Sequence, residues 1–456
     1  MMRLLSTTAI LALSFADAHA WANGLEQKTD PAITATVKSI NAAAIQADIE
    51  KLVSFGTRST LSAQDPDSVA AGHGVGAARE WLKSRFEADS QECGGCLEVK
   101  TDEFVQETGP RVPQPTTLTN VYAVLKGSDP NWTQRIVLVT GHYDSRRTDV
   151  LDATGDAPGA NDDASGTAVS LESAHALSTA ASKLRLRATL IFLTVPGEEQ
   201  GLFGAKHFAQ MAKQAGWKIE AVLNNDIVGG DLSPGQDPHV VRVFSEGLPS
   251  AADDKELKLI RAVGGENDSR SRELARYVAE IGASYSPGVK PLMEFRPDRY
   301  LRGGDHTAFN DQGYAAVRFT EYRENFNHQH QNLRTENGVE YGDTLKFVNF
   351  DYVARVARLN ATTLAALAAA PAPPAEVKLV TSGLDNDSTL KWQPSDGASG
   401  YEVLWRVTTA PTWEHVEKAS GTSATLKVSK DNVVFAVRAV DPDGHKSLPV
   451  EPVPER

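Results

Sequence analysis

Strand-like apolar runs that alternate with helical patterns constrain this chain most. Residues 135–140 and 188–195 are rich in Val, Ile, Leu and Phe, and helical patterns follow each of them at residues 166–181 and 202–215. That alternation predicts an α/β domain, a mostly parallel central sheet flanked by helices. At 456 residues the chain is long enough for two or three average domains. Its 41% hydrophobic and 23% charged residues exclude wholesale disorder.

The helical texture ends at Ala369-Ala370-Pro371-Ala372-Pro373-Pro374-Ala375, which predicts a boundary there. Beyond it, short alternating segments at residues 388–392, 401–407, 423–428 and 432–440 predict a small all-β sandwich. Leu390-Lys391-Trp392, Gly400-Tyr401-Glu402-Val403, the run from Val434 to Asp441 and Gly444-His445-Lys446-Ser447 are the residues by which positions 374–449 resemble a fibronectin type III module. No active site is expected in it. The expected division is therefore residues 1–20, 21–370 and 371–456.

Residues 1–20 combine Arg3, an apolar run from Leu4 to Phe15 and Ala18-His19-Ala20, the pattern of a secretory signal cleaved after Ala20. The run is too short to span a bilayer, where roughly 20 residues are needed, and no membrane span is expected elsewhere. The expected location is periplasmic or extracellular. In such a compartment the only cysteines, Cys93 and Cys96, are expected to form a local loop disulfide. A net charge of −13 lacks the electrostatic footprint of a nucleic-acid binder.

The chemistry-bearing residues fall where an α/β sheet places its functional loops, beyond strand ends. Gly141-His142-Tyr143-Asp144-Ser145 follows one run; His142 is suited to a metal and Asp144 to orienting its ring. Asn161-Asp162-Asp163-Ala164-Ser165-Gly166 opens a helix with two adjacent acids where a cap needs only one. Glu198-Glu199 follows the next run, and a nearby cation offsets the repulsion between them; one can ligate while the other moves a proton. Asp226 ends another apolar run, and His328-Gln329-His330 comes later. Histidines and carboxylates on successive strand ends are a donor set for zinc.

In this order the motifs resemble the co-catalytic di-zinc aminopeptidases of the bacterial leucyl aminopeptidase kind, relatives of glutamate carboxypeptidases and glutaminyl cyclases, over residues 40–365. The resemblance implies a zinc exopeptidase fold and two zinc ions, about 3.5–4 Å apart. It implies that Asp162 bridges them, His142 and Asp226 complete one site, and Glu199 with a late histidine completes the other. Glu198 is then the general base, Asp144 its catalytic companion through His142, and Asp163 the residue following the bridging aspartate. Spacing to Asn332, which stands where the family has an aspartate, favours His328 as the last ligand, with His330 as the alternative. His306 is expected to make only a structural hydrogen bond. The expected substrates are peptide or protein N-termini. A carboxypeptidase using Arg296, Arg299 or Arg302 on a terminal carboxylate is the nearest rival, and a non-enzymatic binding protein on the same fold is the more distant one.

Overall fold

The protein is described by a computed structural model covering residue 25 and residues 27–455; the expected export signal at residues 1–20 lies outside the described residues. Eight strands build the central sheet: β1 (Leu97–Gln106), β2 (Thr116–Leu125), β3 (Ile136–His142), β4 (Thr189–Val195), β5 (Ile219–Asn225), β6 (Val240–Phe244), β7 (Lys290–Glu294) and β8 (Ala316–Glu321). Their order is β1-β2-β4-β3-β5-β8-β6-β7.

The expectation of a mostly parallel sheet is corrected to a mixed one. β4, β3, β5 and β8 run parallel in the centre, but β1 and β2 are antiparallel to each other, β2 to β4 and β6 to β8. The link between β1 and β2 spans only residues 107–115, too short for the crossover that parallel neighbours require.

Every residue of β3, β4 and β5 is buried, because helices cover both faces of the sheet centre. Val137, Val139, Leu190 and Phe192 enter one apolar cluster with helices Ala42–Val53, Ala164–Thr179 and Phe350–Ala369. Their alternates Ile136, Leu138, Ile191 and Leu193 enter another with helix Phe203–Gln214. Each such fully buried side chain contributes roughly 1.5–3 kcal/mol. A close approach then seats the site. A Cβ on Gly141 would lie 2.4 Å from the Gly166 carbonyl carbon, and one on Gly166 would lie 2.2 Å from the Asn225 oxygen. Only glycines let the helix start press against the ends of β3 and β5.

A hairpin of β9 (Arg334–Glu336) and β10 (Val339–Tyr341) precedes the long helix Phe350–Ala369. Two small sheets follow that helix. β11 (Ala375–Val380), β12 (Ser388–Gln393), β15 (Ser423–Leu426) and β17 (Val453–Glu455) form one; β13 (Gly400–Val407), β14 (His415–Ala419) and β16 (Val433–Val440) form the other. Val377, Leu390, Trp392 and Leu426 of the first share a core with Val403, Phe435 and Val437 of the second.

Buried ion pairs join these sheets to helix Arg270–Tyr285 and to Asp268 just before it. Arg438 donates to Glu280 at 2.7 Å and to Glu402 at 2.8 Å, Arg276 lies 2.9 Å from Asp268, and Arg406 also pairs with Asp268. The Trp413 indole N–H donates to Glu273 at 2.8 Å. Cys93 and Cys96 are joined in a disulfide. Among the described residues no helix is long and apolar enough to cross a membrane.

Candidate metal centre

Four strand ends and one helix start converge at the C-terminal edge of β3, β4, β5 and β8. His142 is the last residue of β3. Its Nδ1 lies 3.1 Å from the Asp144 carbonyl and 3.4 Å from Asp144 Oδ1, which fixes the ring. Its Nε2 then points inward, 3.2 Å from Asp162 Oδ1 and 3.9 Å from Asp226 Oδ1. Asp144 also receives the backbone N–H groups of Glu198 and Glu199 at 3.3 and 3.2 Å and the Thr60 hydroxyl at 2.8 Å. One carboxylate thus aligns the end of β3 with the turn after β4, where Gly197 takes the left-handed conformation (φ 73°).

Asp162 and Asp163 divide the work at the start of helix Ala164–Thr179, and the peptide bond between them is cis. Asp163 faces the backbone, accepting N–H groups from Gly166 at 2.8 Å, His142 at 3.0 Å and Ile227 at 3.3 Å. Asp162 faces the cleft, with Oδ2 3.0 Å from His330 Nε2. Against its burial, the His142 and His330 rings beside it hold Asp162 well below the usual carboxylate range.

The expectation for the late histidine is corrected. His328 points away: its Nδ1 bonds Asp231 and its ring stacks on Phe347 with centroids 3.6 Å apart. His330, with φ 52°, turns its Nε2 to within 3.1 Å of Glu199 Oε2 as well as of Asp162. Asn332 does not reach either histidine; its side chain accepts the Thr148 N–H at 3.2 Å, tying two cleft loops together. His306 hydrogen-bonds the Pro297 carbonyl at 2.7 Å and stays outside the centre, as expected.

Two ligand groups result, one of His142, Glu198 and Asp226 and one of Asp162, Glu199 and His330, each with donor atoms within 4.8 Å of one another. Asp162 joins them, since its two oxygens face the two histidines. The residues fit zinc. Among the described residues His142 Nε2 and Glu199 Oε1 are buried without a hydrogen-bond partner, a costly state unless an ion takes the lone pair. Burial, reinforced by crowding acids, pushes Glu198 well above the usual range and Asp305 to about 7.

Several supporting residues escape sequence reasoning. The buried Arg58 guanidinium donates to the carbonyls of Tyr143, Pro158 and Gly159 at 2.8, 2.6 and 2.8 Å and to that of Leu52 at 3.0 Å. Asp343 receives the N–H groups of Asn161 and Asp162 at 2.8 and 2.7 Å. Arg318 pairs with Asp226 at 2.9 Å. No motif surrounds them; each works through backbone groups or a partner distant in sequence.

Residues 120–342 match Peptidase family M28. Over 427 residues the chain is 46% identical to a protein of Leptosphaeria maculans named "probable zinc metalloprotease", a match spanning 92% of this chain and 97% of that one. A protein of the same name in Pyricularia oryzae is 46% identical over 442 residues, covering 94% and 86% of the two chains. Among solved structures, the LapA aminopeptidase of Legionella pneumophila superposes with a TM-score of 0.52 at 21% identity, over 75% of this chain and 76% of that one. At that identity the likeness concerns the fold alone.

Proposed function

Given that the chain belongs to peptidase family M28 and is a zinc metalloprotease, we propose that it is an exported aminopeptidase holding two zinc ions per chain. The observation that carries this reading is the Asp162 carboxylate, which offers one oxygen to the His142 side of the cleft and the other to the His330 side. His142, Asp162 and Asp226 would hold one ion, and Asp162, Glu199 and His330 the other. When bound, zinc acidifies water and polarises a carbonyl.

The chain's own residues supply the rest. Glu198, half-buried at the cleft wall, takes the proton of the attacking water and returns it to the leaving amine. Asp144 keeps His142 in the orientation that presents Nε2. Asp163 fixes the backbone on which Asp162 sits, and Asp343 fixes the Asp162 N–H. The substrate's α-amino group is placed among the carboxylates, which selects peptide or protein N-termini. Two facing sheets with a common Trp392 core support reading residues 371–456 as a fibronectin type III-like unit set apart from a peptidase unit at 21–370.

The test pairs elemental zinc per purified chain with hydrolysis of aminoacyl anilides before and after chelation. About two zincs and chelator-sensitive hydrolysis are expected. Hydrolysis of N-blocked dipeptides but not of anilides would overturn the aminopeptidase assignment.

A further inference from the structure

The chain carries 59 acidic against 46 basic residues, yet four arginines line the cleft of about 340 Å³ above the ligand groups: Arg111, Arg146, Arg299 and Arg302. On one wall Arg111 is fastened by a hydrogen bond of 2.9 Å from Nη1 to the Glu199 carbonyl and, among the described residues, forms no ion pair. Beside it Arg146 spends Nε and Nη2 on the carbonyls of Arg147 and Thr148, both at 3.0 Å. Its Nη1 makes only a long ion pair, 4.0 Å from Glu199 Oε2. Arg299 and Arg302 share one acceptor, Glu324 Oε2, at 3.0 and 2.9 Å, while Arg242 occupies the other oxygen of Glu324 at 2.9 Å. Arg299 also pairs with Asp298 at 2.9 Å, so two carboxylates answer three guanidinium groups. Arg296 stands apart, over the Tyr300 ring at 5.4 Å.

We propose that this cleft selects substrates carrying a carboxylate next to the scissile bond, with Arg111 and Arg146 as the specificity-determining residues. The inference rests on the zinc peptidase reading: with Glu199 engaged as a ligand, the chain offers these two guanidiniums no acidic partner. Both are held by backbone carbonyls with N–H groups to spare, so little side-chain freedom is lost when a carboxylate docks. Arg299 and Arg302, already braced by Glu324, complete a positive rim. The carboxylate can belong to an aspartate or glutamate side chain or to the terminus of a very short peptide.

The experiment compares matched substrates on the zinc-loaded full chain: glutamyl against glutaminyl anilide, Ala-Glu-amide against Ala-Gln-amide, and Ala-Gln against its amide. At least one acidic member is expected to exceed its neutral twin more than tenfold in kcat/KM, chiefly through KM, and the pair that does so identifies the source of the carboxylate. Arg111→Gln and Arg146→Gln are each expected to lower that ratio about tenfold, and Arg146→Lys to restore part of it. Ratios at or below one in every pair, or ratios that neither variant moves, overturn the proposal. If no pair is hydrolysed at all, the aminopeptidase reading fails separately. Calorimetric binding of Ala-Glu-amide against Ala-Gln-amide then decides: a preference lost in Arg111→Gln upholds carboxylate selection, and equal binding ends it. Zinc content and circular dichroism identify a variant that has not folded, in which case the wild-type ratio and the remaining variant decide.

Discussion

Acidic side chains crowd together in two buried places, the cleft around Asp162 and the junction between helix Arg270–Tyr285 and the C-terminal sheets. At the junction Asp268, Glu273 and Glu451 come as close together as the ligand groups do, with donor atoms within 4.8 Å. There, however, the chain brings its own cations: Arg276 pairs with Asp268 and Glu273, and Arg406 with Asp268. At the cleft, among the described residues, Arg318 reaches Asp226 and Arg146 stands 4.0 Å from Glu199, but only histidines face Asp162; a buried acceptor lacks a hydrogen-bond partner in both places, Glu199 Oε1 in the cleft and Glu451 Oε1 at the junction. Crowded carboxylates alone therefore do not mark a metal centre. The discriminating feature is whether arginines already fill the space between them.

The largest expected effect comes from replacing Asp162, whose two oxygens face the two histidines. Asp162→Ala should strip zinc and reduce kcat by several orders of magnitude, read by elemental analysis and turnover; a fully loaded, active variant breaks the distinction. Glu198→Gln should lose about 10²–10⁴-fold in kcat with zinc retained, which separates proton transfer from ligation within the same cluster.

Arg438→Met tests the other region. Removing one partner of a buried ion pair costs about 3–5 kcal/mol, so denaturant unfolding should show that loss at unchanged zinc content, and added zinc should not repair it. The two late histidines sharpen the contrast on a smaller scale. His330→Ala should weaken zinc binding far more than His328→Ala, whose ring is committed to Asp231 and Phe347; competition with a chelating dye measures both, and equal losses would return His328 to the centre.

The smallest effect concerns a third cluster, where His175 bonds Asp89 at 2.9 Å and Arg85 also pairs with Asp89. The hydrogen bond that its ring donates to Asp89 raises His175 above its ordinary value. A raised folded value means the stabilisation is fully present below about pH 6.5 and fades as pH climbs through the folded value. The pair is partly exposed, so the contribution is at most about 1 kcal/mol. His175→Gln should flatten the stability profile above about pH 6.5.

Legibility in the sequence follows burial and locality. β3, β4 and β5 could be read because helices cover both faces and most positions are apolar or small. β14 could not, since His415–Ala419 lies mostly exposed with a polar sequence, and β17 is a three-residue strand that exists only through parallel pairing with β11. The mixed character of the sheet escaped notice because strand direction depends on connections and not on the strands themselves. His142, Asp162, Glu199 and Asp226 were legible because each lies within a few residues of a strand end or helix start. The choice between His328 and His330 was not. Long-range bonds from His328 to Asp231 and from Thr148 to Asn332 set the path of that loop.

Arg58 has a bearing on how the protein is assembled. Its side chain, reached early in the chain, holds the Leu52 carbonyl six positions before it and three carbonyls contributed by residues 85 to 101 positions later. The loops that carry Asp144 and Asp162 therefore settle onto a post set by the helix Ala42–Val53 and the turn after it. Folding of the N-terminal segment and readiness of the cleft become one event: a nick or deletion around residue 58 would silence the cleft from outside it, with every ligand still in the chain.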